Sequence, residues 1–407
     1  MLNSYTLGHV RAVTPEGILE DQLISVSGGV IEDIGPHRNG TRADVDGRGQ
    51  LCLPGLVDVH SDALAREYRP RPGAVVPVPL ALHAAESNLL AAGVTTAFHA
   101  MSFQLKSAVG IPIKSPRAPE IQHALKAYPD PRIDHRVLHR LDVRCPGGLE
   151  LFRGQIAGHT GTPLVSYEDH TPGQGQYKDR SVMERWLQEA QQMTPAGARH
   201  HVDLLVAERD GQFPLREQTL TWLSSLAADG SITLMGHDPT SPDEIDDLIA
   251  RHATIAEFPT TLEAAHHAAA RGVANVAGAP NILLGGSHSG NVSAAELAQH
   301  GVLHILASDY LPSSLLPAAF ELARLGHATL PAAIGMITAA PAAAAGLQDR
   351  GQLAPGRRAD LLLCSDAHQR PRISRTFTAP QARAGASSVQ AKRLSPAGGT
   401  TTGQSVV

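Results

Sequence analysis

Residues 53–62 read Leu53-Pro-Gly-Leu-Val-Asp-Val-His60-Ser-Asp62. A short apolar run ends in an imidazole and a carboxylate two positions apart. On a β-strand, residues i and i+2 share a face. If this run is the first strand of a parallel barrel, His60 and Asp62 both point into the lumen at its C-terminal mouth, where (β/α) barrels keep their chemistry. Imidazole beside carboxylate makes half of a divalent-metal site. Two solvated polar residues at a strand end are the plain alternative, and the rest of the chain decides between them.

Seven further apolar runs follow, each with a polar tip and most with a helix after it. They are Val94-Thr-Thr-Ala-Phe, His139-Arg-Leu-Asp-Val-Arg, Pro163-Leu-Val-Ser-Tyr, Ile232-Thr-Leu-Met, Thr254-Ile-Ala-Glu-Phe, Asn275-Val-Ala-Gly and Leu303-His-Ile-Leu-Ala. Helix starts are marked by capping boxes at Ser241-Pro-Asp-Glu244, Thr260-Thr-Leu-Glu263 and Ser293-Ala-Ala-Glu296. Eight strands alternating with helices predict an α/β fold, a parallel (β/α)8 barrel. A doubly wound sheet is the alternative, but no Gly-rich phosphate fingerprint follows the first strand.

Both ends are β-rich. Leu23-Ile-Ser-Val-Ser, Gly28-Gly29 and Val30-Ile-Glu-Asp-Ile form a hairpin pattern, and Gly351 to Leu363 reads as turn, strand, turn, strand. Residues 1–53 and 346–372 are therefore expected to build one small β domain around a barrel of residues 54–345. A helical insertion spans about 178–228, and residues 373–407 read as a disordered, low-complexity tail.

Net charge −5 argues against a general nucleic-acid binder. No apolar run approaches the roughly 20 residues of a membrane span, and no signal-peptide pattern opens the chain. Cys52, Cys145 and Cys364 are far apart and odd in number, which points to free thiols in a reducing cytoplasm. A homo-oligomer is compatible with all of this.

Polar residues stand at nearly every strand end: His60 and Asp62, His99, Asp169 and His170, His237 and Asp238, Glu257, and Asp309. His60, Asp62, Asp169, His170, His237, Glu257 and Asp309 are candidate ligands for one or two divalent metals. Zinc suits the imidazoles, and manganese or magnesium suits the carboxylates. Such an ion acidifies water, and Asp309, with His237, is the candidate catalytic group that handles its proton. His99 reads as structural, and Asp142 and Asp238 fit either role.

Two further patterns suggest an anionic ligand. Gly285-Gly-Ser287-His288-Ser-Gly-Asn291 precedes a capped helix, where small residues and free N–H groups suit an anion. Arg69-Pro-Arg71 follows the His60–Asp62 pair, with Lys106, Arg140 and Arg144 as further positive charge for phosphate oxygens.

Taken together, these segments resemble the amidohydrolase superfamily and, within it, the PhnM-type enzymes of the carbon–phosphorus lyase pathway. The resemblance runs in order through His60-Ser-Asp62, Arg69-Pro-Arg71-Pro, Ala92-Gly-Val-Thr-Thr, His139-Arg-Leu, Asp169-His170-Thr-Pro-Gly-Gln174, His237-Asp238, Ala256-Glu257-Phe-Pro-Thr-Thr, Gly278-Ala-Pro-Asn281, Gly285-Gly-Ser-His288-Ser-Gly-Asn291 and Ser308-Asp309-Tyr. It implies a distorted TIM-like (β/α)8 barrel with a small β-rich domain formed by both termini. It also implies metal-dependent hydrolysis of a phosphorylated sugar-phosphonate substrate, α-D-ribose 1-methylphosphonate 5-triphosphate, to the 5-phosphate and pyrophosphate. The chain departs from the family pattern at Arg144-Cys145-Pro146, where the family has Arg-Cys-Glu, and at Asp142, where it has His. Asp142 or Glu168 is then the expected substitute. The other departure is at the C-terminus, where Ile373-Ser-Arg-Thr-Phe leads into the low-complexity tail in place of the family's closing strand. Competing expectations are an amidohydrolase acting on a cyclic amide, imide or amino-heterocycle, and a catalytically degenerate scaffold subunit of a phosphonate-degrading assembly.

Overall fold

The computed structural model describes residues 4–71, 73–111, 118–157, 159, 161–286, 290–366 and 370–381. Strands β1 (Ser4–Thr14), β2 (Gly17–Ser27), β3 (Val30–Pro36), β4 (Val45–Asp46) and β5 (Leu51–Pro54) come first. Eight more follow: β6 (Leu56–Ser61), β7 (Val94–Phe103), β8 (Asp134–Asp142), β9 (Leu164–Glu168), β10 (Thr233–His237), β11 (Ile255–Glu257), β12 (Ala274–Gly278) and β13 (Ile305–Ala307). Then come β14 (Leu361–Ser365) and β15 (Arg372–Phe377).

Strands β6 to β13 form one parallel sheet in sequence order, the expected barrel. Each contributes to one apolar cluster, through Val57 and Val59, Phe98, Leu138, Leu164, Met235, Ile255, Val276 and Ile305. A cluster fed by all eight strands fills the lumen, and the Ala342, Ala345 and Leu347 side chains join it. The outer faces pack against helices in separate clusters. Closure is incomplete, which is the distortion. Near the mouth, β6 and β13 meet through a Ser61–Asp309 bridge, with Asp62 N–H donating to the Asp309 carbonyl at 2.7 Å. Further down, residues 336–337 stand between them, because the Val57 and Leu306 N–H groups donate to the Ile337 and Met336 carbonyls. Buried Asp58 ties the same seam by accepting from the Ser308 backbone N–H at 3.0 Å and from its hydroxyl.

The small sheet has the order β15-β14-β5-β1-β2-β3, so both termini build it. Two expectations change here. No strand forms between Gly351 and Gly356. Residues 373–377, read as the start of the tail, belong to β15, which pairs antiparallel with β14. Ile373 packs on the barrel's outer core, and the Phe377 ring stacks on Tyr5 at 5.3 Å between centroids. Two apolar anchors therefore order a segment whose composition reads as low complexity. Residues 382–407 lie outside the described residues.

The insertion consists of helices Arg180–Gln191, Pro195–Asp210 and Phe213–Ala228. Ser241 and Ser293 cap their helices as expected, whereas the cap at the middle box is Thr261, one residue later than Thr260.

Candidate metal centre

Alternation along the strands sets which side chains reach the lumen. Leu164 lies in the lumen cluster, so Ser166 and Glu168 share its face. By the same count Met235 leads to His237, Ile255 to Glu257, and Leu138 to Arg140. In β6 the pairing with β7 slips between Asp58 and Ser61, and His60 turns inward.

Fully buried Glu257 organises the centre. Its Oε1 accepts from His60 Nδ1–H at 2.7 Å. Its Oε2 accepts from His237 Nδ1–H at 2.7 Å and from the Ser166 hydroxyl at 2.6 Å. A carboxylate acceptor holds a proton on each Nδ1 and turns each Nε2 toward the mouth, the nitrogen that a cation would take. Glu257, expected as a ligand, thus stands behind the two imidazoles and holds them.

Two donor groups result. His60, Asp62 and Asp309 bring one ligand atom each within 4.8 Å of one another, and so do Glu168, His170 and His237. The second group contains Glu168 in place of Asp169, which corrects the sequence expectation. Asp169 lies one position beyond the lumen-facing Glu168, so it points elsewhere. It accepts from Arg144 at 2.8 Å, from Arg209 and Arg216 at 3.2 Å each, and from the Thr171 hydroxyl. Arg144 is likewise spent on Asp169, Asp210 and a backbone carbonyl, so its expected role on substrate is not what the structure places there. Asp142 binds Arg209 through both oxygens, at 2.9 and 3.0 Å, and belongs to neither donor group. Of the two expected substitutes for the family's glutamate, Glu168 is the one in the centre. Pro146 opens the helix Pro146–Ile156, a first-turn position that suits proline.

Arg140 is the lumen's own cation. It pairs with Glu168 and lies 3.7 Å from Asp62, between the two groups. It lines an open cavity of about 250 Å³ together with His60, Asp62, His237, Asp238 and Asp309, and Asn291 faces the same space. Arg69 and Arg71 are exposed just beyond the helix Ala63–Tyr68 that follows β6 and do not line this cavity. Ser287 and His288 lie outside the described residues. His99 is buried and bonded to His135 at 2.8 Å, a structural role.

The electrostatics fit a cation. Glu168 Oε2, His170 Nε2 and Asp238 Oδ2 are buried with no hydrogen-bond partner, and three such lone-pair atoms together suit a metal. Against the cost of burial, Arg140 and His170 hold Glu168 down at about 2. Burial pulls His170 down to about 4, keeping its imidazole neutral. His237 is pushed up to about 9: burial lowers it, but Asp238 and Glu257 outweigh that.

Three strand-end residues take left-handed backbone: Asp238 (φ 53°), Phe258 (φ 55°) and Asp309 (φ 54°). Aspartate tolerates this region, but a phenylalanine there is strained, at a cost on the order of 1–3 kcal/mol. The Phe258 ring walls the site against His60, at 5.1 Å, and His237, at 5.6 Å between centroids. Sequence reading missed Arg209 and Arg216. Both sit on insertion helices, and no local pattern ties them to Asp142 or Asp169.

A profile of the amidohydrolase family matches residues 205–388. The chain is 36% identical over 361 residues to the α-D-ribose 1-methylphosphonate 5-triphosphate diphosphatase of Escherichia coli strain K12, covering 85% of this chain and 92% of that protein. Among solved structures it resembles a triazine hydrolase variant (TM-score 0.59, 16% identity, 92% and 93% of the two chains). It also resembles the N-acetyl-D-glucosamine-6-phosphate deacetylase of Mycobacterium smegmatis (TM-score 0.54, 15% identity, 92% and 99%). At such identities the two structures speak to the fold alone.

Proposed function

The chain belongs to the amidohydrolase family, in the branch that contains the E. coli diphosphatase, and we propose that it hydrolyses α-D-ribose 1-methylphosphonate 5-triphosphate to the 5-phosphate and pyrophosphate. The observation that carries this reading is the pair of donor groups flanking Arg140 at the mouth, in a chain so extensively similar to that enzyme.

His60, Asp62 and Asp309 would hold one divalent ion, and Glu168, His170 and His237 a second; zinc suits the three imidazoles, and manganese or magnesium the carboxylates. When bound, such ions withdraw charge from phosphoryl oxygens and make water a better nucleophile at neutral pH. The protein's own residues do the rest. Asp309 accepts a proton from the attacking water as oxygen bonds to phosphorus and the α–β bridging P–O bond breaks. Arg140 offers its guanidinium to the phosphoryl oxygens, and Asn291 its amide to a polar group of the substrate. Glu257 keeps the imidazoles oriented throughout. The work belongs in a reducing compartment, the cytoplasm: Cys52, Cys145 and Cys364 are free thiols, and burial pushes Cys52 up to about 12. Among the described residues no helix is long and apolar enough to cross a membrane.

The test is phosphorus NMR of the metal-loaded protein with the ribosyl methylphosphonate triphosphate, and with ATP as control. Pyrophosphate released from the first substrate and not from ATP supports the reading. Absence of any phosphorus turnover with metal bound removes it.

A further inference from the structure

A second cluster of metal-binding side chains lies far from the mouth, in the small β domain. His9 on β1, Asp21 on β2 and His37, just after β3, bring one ligand atom each within 4.8 Å of one another. His9 Nδ1 lies 2.9 Å from Asp21 Oδ1 and 2.9 Å from His37 Nδ1. We propose that His9, Asp21 and His37 form a site for a divalent transition-metal ion, zinc in the first instance, which clips three strands of this domain together.

The proton count favours an ion. His37 Nε2 lies 3.0 Å from the Thr41 carbonyl, which only accepts. The His37 proton therefore sits on Nε2, and its Nδ1 offers a lone pair. That is the usual arrangement of a metal-bound histidine, whose other nitrogen donates to a carbonyl. The two 2.9 Å vectors from His9 Nδ1 meet at about a right angle, given the 4.0 Å from His37 Nδ1 to Asp21 Oδ1. One ring nitrogen carries either a single hydrogen or a single lone pair, directed one way. It cannot make straight hydrogen bonds along both vectors. A cation between them satisfies all three atoms. With separations of 2.9, 2.9 and 4.0 Å, the point in their plane equidistant from the three atoms lies about 2 Å from each, an ordinary metal–nitrogen and metal–oxygen length, with His37 and Asp21 nearly opposite each other. The half-exposed His9 and Asp21 side chains have room to swing toward the tetrahedron that zinc takes.

The backbone is bent to make the cluster. His9 (φ 51°) and Asp21 (φ 46°) both adopt the left-handed region inside strands, where β1 and β2 slip register between Leu7 and Ala12. Such conformations in strand residues cost free energy and persist where the surroundings impose them. The His37 N–H donates to the Asp21 carbonyl at 2.8 Å. The His37 ring lies against Gly8, where an added Cβ would sit 3.2 Å from two ring atoms. His37 is buried, while His9 and Asp21 are about half exposed, which leaves room for water to complete the coordination shell. Two imidazoles and one carboxylate suit zinc, nickel or copper over magnesium or calcium.

The test compares zinc bound per chain, after metal stripping and reloading, in the full-length protein and in His9→Asn and Asp21→Asn. Asparagine tolerates the left-handed backbone, so both variants keep the fold. The expected result is one zinc fewer per chain in each variant, with turnover of the phosphonate triphosphate unchanged. Equal zinc content in wild type and both variants overturns the proposal. A second measurement does not depend on those variants. A His60→Asn, His170→Asn, His237→Asn protein lacks the barrel imidazoles and should still take up one zinc in a titration. No uptake by that protein also overturns the proposal.

Discussion

Replacing Glu257 by glutamine tests the logic of the centre at its hinge. The carboxylate is fully buried and serves three donors, two of them on Oε2. Glutamine keeps one acceptor oxygen. That oxygen is best placed where two donors converge, facing His237 and Ser166, which leaves the amide NH2 facing His60 Nδ1. Two N–H groups cannot face each other, so His60 moves its proton to Nε2 and loses the lone pair that it shares with Asp62 and Asp309. The lost bond is charge-assisted and is worth about 1.5–3 kcal/mol. Outer partners of metal-bound histidines typically govern affinity by 10–100-fold, or about 1.4–2.7 kcal/mol. Glu257→Gln should therefore weaken zinc binding at the His60 group by roughly that factor, while the His237 group changes less. Calorimetric zinc titration reads the two affinities, and nitrogen-15 NMR of the imidazoles reads the tautomers. Unchanged affinity at the His60 group, or a His60 ring still protonated at Nδ1, would refute the reasoning.

Asp309→Asn should lower kcat by about 10²–10⁴-fold, the range for losing a general base, while the ion held by Glu168, His170 and His237 stays bound; full activity would remove Asp309 as the base. Arg209→Ala leaves Asp142, and one of the contacts of Asp169, without a guanidinium in a nearly buried cluster. That should cost about 3 kcal/mol in denaturant unfolding, with Arg209→Lys recovering less than half because lysine cannot bind bidentately. In the metal-free protein His237 is held up at about 9, above the ordinary 6.5. Its stabilising contribution is complete below about pH 6.5 and disappears as pH rises through about 9. The metal-free melting temperature should therefore fall across that window, whereas the zinc-loaded protein, whose His237 Nε2 is already deprotonated, should not follow it. Parallel curves in scanning calorimetry would count against His237 as a ligand.

The barrel was legible because its signals are local. Each of the eight apolar runs became a strand, and the polar residues at their ends mark the mouth. His60, Asp62, His170, His237 and Asp309 were read as candidates this way, and the fold brings all five into the donor groups. Asp169 was read as a candidate ligand and Glu168 as a substitute; one residue of register puts Glu168 in the donor group, as the alternation Leu164, Ser166, Glu168 implies. Other features were not legible locally. Glu257 joins His60 across 197 positions, and only the closed barrel shows that it supports the imidazoles from behind. Arg209 and Arg216 look like ordinary polar faces of helices until the insertion folds onto Asp142 and Asp169. β15 carries two apolar anchors in six residues, too few to stand out from a polar tail. The His9–Asp21–His37 cluster depends on left-handed residues inside strands, which sequence alone gives no reason to expect.

The charge of the cavity bears on what it binds. Asp62, Asp238 and Asp309 line it, and Glu168 and Glu257 stand beneath, against Arg140 as the permanent cation among these lining residues. At an effective dielectric constant of about 20, two like charges about 6 Å apart repel by roughly 3 kcal/mol. A triphosphate facing three carboxylates would be turned away. The same carboxylates become an asset once divalent ions stand between them and the phosphates, because each ion then neutralises both sides. An acidic mouth for a polyanionic substrate is therefore coherent only as a metal centre. It also accounts for the left-handed turns at Asp238 and Asp309, which concentrate negative charge where a cation would reside. Arg140, shared between Asp62 and Glu168, holds the two donor groups near each other before any ion arrives.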